Sequence, residues 1–170
     1  MSGPVGDNTA RASGVIAAPA AGGDNTPSFF AYVSADAAVT DQTLTIMPAN
    51  TESWDTDGAY DNSAYKFTVP ADKGGKYRFT IGYRMFHTST GIFYWSSRLY
   101  VNGGYFIDHA TQISPNDVTY IGDIMTATLD LSATDYVEAK LYVDNANNTD
   151  MSLRGGHTPI VSWFGGFKLL

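Results

Sequence analysis

The chain has 170 residues, a formal charge of −7 and a sequence pI near 4.6; 44% of its residues are hydrophobic and 16% are charged. That length fits one ordinary domain with some sequence left over, and the apolar content excludes wholesale disorder. The ten basic residues are scattered and cysteine is absent, which excludes a clustered nucleic-acid-binding stripe, disulfides and thiolate zinc sites.

Residues 1–27 contain no aromatic side chain, and 14 of them are Gly, Ala or Pro. Such a stretch buries too little surface to offset its ordering entropy. We read it as a flexible anchoring arm, with Val15 and Ile16 as the apolar pair able to grip a partner. Its start lacks the basic and apolar regions of a secretory signal, and no run in the chain is long enough to cross a bilayer. The expectation is therefore a protein made in the cytosol, with no membrane insertion.

From Phe29 onward the pattern predicts strands. Phe29–Val33 opens with β-formers, and Tyr65–Val69 and Lys76–Ile81 alternate with period two around a turn at Pro70–Gly75. Phe93–Val101 reads as a long strand closed by Asn102-Gly103, the dipeptide preferred in type I′ hairpins because both positions tolerate positive φ. Tyr105–Ile107 reads as the returning strand. Met125–Leu131, Tyr136–Val143 and Ile160–Leu170 complete the series, and no window shows a capped amphipathic helix. Many short strands without helices predict a sandwich or barrel, and periodicity alone does not choose between them.

Three blocks in order carry a resemblance. The first is Gly58-Ala59-Tyr60-Asp61, followed by Phe67-Thr68-Val69-Pro70 and Gly75-Lys76-Tyr77-Arg78-Phe79; the second is Leu99–Gly103 with its Asn-Gly end; the third is Phe164-Gly165-Gly166-Phe167-Lys168-Leu169. Residues 28–170 resemble the complement-1q globular heads, which share a jelly roll with the tumour necrosis factors. Leu131–Val137 departs from the family pattern by losing its Gly, and the N-terminal segment lacks the Gly-X-Y period of a collagen stalk. The resemblance implies an all-β jelly-roll β-sandwich of about ten strands, assembling as a tight homotrimer with aromatic residues on the threefold axis. The 23 aromatic residues fit that expectation, since they exceed what one small sandwich must bury. Phe67, Tyr77, Phe79 and Phe167 are the candidates for the trimer surface, with ordinary core as the alternative.

No nucleophile elbow, phosphate loop or dinucleotide fingerprint occurs, so the expectation is a non-enzymatic protein without a cofactor. His87, His109 and His157 stand in no metal-ligand spacing. Asp55–Lys66 begins like a calcium loop but has Lys66 where the bidentate Glu belongs. Asp144, Asn145, Asn147 and Asp150 form a loop rich in hard oxygen atoms, either a calcium or ligand loop or a polar turn. Phe93-Tyr94-Trp95 is a candidate stacking platform for sugar or else core. Together these features suggest a virion protein: a trimeric knob held to other virion proteins through residues 1–27, as capsid decoration or a short tail attachment piece touching a host surface. The alternative is an extracellular adhesion module that reads glycans or proteins.

Overall fold

The computed structural model describes residues 25–87, 91–113 and 118–170. Val15, Ile16 and most of the expected arm lie outside the described residues, as does part of the Met85–Ile92 loop. The described residues form β1 (Ser28–Tyr32), β2 (Ala37–Val39), β3 (Thr45–Ile46), β4 (Thr51–Asp55), β5 (Tyr60–Asp61), β6 (Lys66–Thr68) and β7 (Gly75–Phe86). They continue with β8 (Ile92–Val101), β9 (Gly104–Gln112), β10 (Tyr120–Leu131), β11 (Tyr136–Asn145), β12 (Met151–Leu153) and β13 (Trp163–Lys168).

These strands make two antiparallel sheets packed face to face. In the first, β7 is central: β10 lies along one flank, and β13, β1 and β4 follow in order on the other, where β12 and β2 also join. In the second, the order is β5-β6-β11-β8-β9, with β3 on the flank of β11. The strands with the clearest alternation carry the core. Tyr77, Phe79, Ile81, Tyr83 and Met85 of β7 point inward, and Val137, Ala139, Leu141 and Val143 of β11 face them from the opposite sheet, all buried. Period-two alternation on both sheets is what lets one side of each strand be apolar while the other is wet or partnered.

The expected hairpin is present. Val101 pairs with Gly104, and Asn102 and Gly103 both have positive φ, 52° and 76°. That is the backbone a tight turn between right-twisted strands requires.

Aromatic rings fill the centre of the sandwich. Phe29 stacks on Tyr60 and Phe67 at centroid distances of 4.7 and 5.1 Å and meets the edge of Phe164 at 5.0 Å. Phe79 packs on Phe67 at 5.5 Å and on Phe164 at 5.9 Å. Two tyrosines in this cluster keep their hydroxyls satisfied: Tyr60 donates to the Ala49 carbonyl and Tyr77 to the Lys73 carbonyl, at 2.8 and 2.6 Å. Burial raises both hydroxyls, that of Tyr77 to about 12. Phe67, Tyr77 and Phe79 are therefore interior to a single chain, the core alternative of the two readings, and Phe167 alone of the four reaches the surface. The turn between β5 and β6 is held by Asp61, whose carboxylate accepts the Ser63 hydroxyl and the N–H groups of Ser63 and Ala64. These bonds hold its pKa down to about 2, below the usual carboxylate range.

Candidate functional site

The oxygen-rich loop between β11 and β12 is organised from within. Buried Asn145 donates its side-chain amide to Asp41 Oδ1 at 2.8 Å and to the Thr149 carbonyl at 2.7 Å, while its own Oδ1 accepts from the N–H groups of Asn147 and Thr149. Gln42 donates to Asp144 and Asn148, and Asp150 accepts from the Asp41 N–H. Oxygens that could face a cation thus accept N–H donors, the arrangement of a polar turn. Among the described residues no group of three or more His, Cys, Asp or Glu side chains could hold a metal ion. The histidines stand apart as well: His87 contacts Thr149 at 2.7 Å, His109 contacts Asp123 at 2.7 Å, and His157 lies 3.7 Å from Asp36.

Alternation divides the Phe93-Tyr94-Trp95 stretch. Trp95 is buried, whereas Tyr94 packs edge-on against Tyr142 on the outer face of the second sheet. There Arg98 lies over the rings of Tyr105 and Tyr142 and pairs with Asp108 at 3.6 Å. The three side chains do not form one continuous platform.

The outer face of the first sheet is where large apolar groups gather in the open. Phe30 stacks on Trp54 at 5.1 Å and on Trp163 at 6.4 Å, and Trp54 is half exposed. The Trp163 indole lies directly over Gly82; a Cβ there would sit 2.2 Å from the ring, so only glycine leaves room for it. A shallow groove of about 490 Å³ runs between Phe30, Trp54, Phe167 and Trp163, with exposed Arg78 at its side. Beyond Trp163 a second depression of about 650 Å³ is bounded by Tyr120, Ile124 and Ile160. Ile124 is 60% exposed and Tyr120 48%.

The nearby sheet edges are apolar too. β9 pairs with β8 and β10 with β7, and each leaves its other flank without a strand partner among the described residues. On β9, Tyr105 and Phe106 are more than half exposed, and a register shift at Leu99/Tyr100 makes Phe106 the extra residue of a bulge. A free edge with exposed aromatic residues is a liability for an isolated protein and a natural contact for a copy of itself. Sequence reading missed this surface. Its legible trace was Tyr105-Phe106-Ile107, three consecutive apolar residues that a regular strand cannot all turn toward one core.

No protein-family model matches the chain, and no curated protein matches its sequence. Among solved structures, the globular domain of zebrafish complement 1qA protein superposes with a TM-score of 0.58, covering 85% of this chain and 98% of that one at 14% identity. The chain has the complement-1q globular-head fold. The jelly-roll expectation is met over both sheets of this complement-1q-like sandwich, and the apolar surface just described lies on its β10-β7-β13-β1-β4 sheet and on its β9 edge.

Proposed function

We propose that the chain is a non-enzymatic head that works as a homotrimer, tethered through residues 1–27 to a virion as capsid decoration or a short attachment piece. One observation carries the self-association: apolar surface is exposed both on the β9 edge, at Tyr105, Phe106 and Ile107, and on the face bearing Tyr120, Ile124 and Ile160. In a closed rotational ring, one surface of each copy meets a different surface of the next. The edge and the face are two such surfaces, and the fold belongs to proteins whose heads associate in threes. The low content of charged residues and the Gly/Ala-rich, cysteine-free tether support an assembly component. A second reading, an extracellular adhesion module, is favoured by the outer face of the other sheet. There Tyr94, Tyr105 and Tyr142 surround Arg98, and tyrosine-rich surfaces of this kind suit adaptable recognition.

Sedimentation velocity at micromolar concentration should show a trimer, and Phe106→Asp combined with Ile124→Asp should convert it to a folded monomer. A wild-type protomer that sediments alone would remove the reading. Fractionation of the producing culture then separates the two placements: the virion reading expects the chain in the particle fraction, and the adhesion reading expects it free or on the cell surface.

A further inference from the structure

The groove beside Trp54 is a product of strand register. Alternation puts Ser28 and Phe30 of β1, Trp163, Gly165 and Phe167 of β13, and Arg78, Thr80 and Gly82 of β7 on the outer face. Pairing then sets them in lateral rows. Trp54, Phe30, Gly165 and Thr80 make the middle row, Ser28, Phe167 and Arg78 the row on one side, and Trp163 beside Gly82 the row on the other. Gly165 is the gap in the middle row: it leaves bare backbone as a floor between Phe167 and Trp163, which stand about 13 Å apart along the strand. Its φ is not positive, so the backbone does not demand glycine there. A glycine inside a strand then marks a place where a ligand or another backbone comes close.

The walls divide by chemistry. On the aromatic side, Trp54 and Trp163 both stack on Phe30, and Trp163 is seated over Gly82, so the rings are fixed before anything binds. On the polar side, Arg78 is exposed and makes no ion pair among the described residues. It is the one charged residue lining the groove, in a chain of formal charge −7. Ser28 has hydrogen bonds only through its backbone, which leaves its hydroxyl to a ligand. A ligand that fits offers apolar C–H faces to the rings, hydroxyls to the rim, and a carboxylate that a guanidinium can grip with two parallel bonds. Sugar rings carrying a carboxylate have all three. A second copy fits less well: its β9 edge is apolar at Tyr105–Ile107, and the carboxylate that follows, Asp108, is already held by Arg98 and Tyr105.

We infer that this groove binds an acidic oligosaccharide, laid across the strands with its rings against Trp54 and Phe30 and a carboxylate on Arg78. Length argues for more than one sugar unit, because β4 and β7 are three strand spacings apart, roughly 14 Å. The inference does not rest on copy number, which sedimentation reads separately.

Calorimetric titration of the full chain with tetragalacturonate and sialyllactose, against neutral maltotetraose and lactose, tests it. At least one acidic probe should bind about tenfold more tightly than its neutral counterpart. Arg78→Gln should erase that preference, and Trp54→Ala should weaken binding about tenfold. Lys66→Gln removes a cation from the opposite sheet and should change nothing. Failure of both acidic probes to bind at millimolar concentration overturns the inference. So does an equal loss with Lys66→Gln, which would mean general attraction to positive charge. If Arg78→Gln and Trp54→Ala instead break up the assembly in sedimentation and no saccharide binds, a second copy fills the groove and the inference falls.

Discussion

Phe29→Ala is expected to cost the fold about 3–5 kcal/mol, the range for emptying a large aromatic site in a packed core. Phe29 is 1% exposed and lies at the junction of both sheets, with Tyr60, Phe67 and Phe164 all within about 5 Å between ring centroids. Stacked and edge-on partners each add to the loss beyond the area term. The neighbours are held by their own strands and hydrogen bonds, Tyr60 by its bond to Ala49, so they cannot collapse into the space. For a domain of ordinary stability, about 5–15 kcal/mol, this removes a large share. Urea denaturation checks it, with Phe30→Ala as the comparison one residue along on the outer face. A loss for Phe29→Ala below about 1 kcal/mol would mean that the centre of the sandwich is not packed as described.

Gly82→Ala is the second large effect. The added Cβ would stand 2.2, 2.4 and 2.5 Å from three atoms of the Trp163 indole, distances that no small adjustment relieves. The ring is the more movable of the two, so it must swing off the sheet, leaving its contact with Phe30. An overpacked site of this kind costs about 1–3 kcal/mol. A double-mutant cycle with Trp163→Ala tests the cause: with the ring gone, Gly82→Ala should become nearly neutral. An undiminished cost in the Trp163→Ala background would place the strain in the backbone instead. Because Trp163 borders both depressions of the outer face, Gly82→Ala should also weaken self-association in sedimentation.

Most of the sandwich was legible because its central strands obey strict alternation. Lys76-Tyr77-Arg78-Phe79-Thr80-Ile81 can sit only as a strand with Tyr77, Phe79 and Ile81 on one side, and so it does. Asn102-Gly103 announced its turn for a backbone reason that tertiary context did not override. The outer surface was far less legible. Alternation says which residues share a side, not which side is interior; Phe29-Phe30 and Trp163-Phe164 each put one ring in the core and the other outside. Phe67, Tyr77 and Phe79 were open to either assignment for the same reason. The Asp144–Asp150 loop showed its polarity in sequence. Only the reach of Asp41 and Gln42, more than 100 positions away, shows how its oxygens are used.

His109 and Asp123 meet at 2.7 Å between β9 and β10, the outermost strands of opposite sheets, and so form a polar stitch across the seam of the sandwich. A neighbouring copy seated over that seam would grip both layers at once. Folding and assembly would then draw on the same contacts, and diluting the protein would lower its melting temperature.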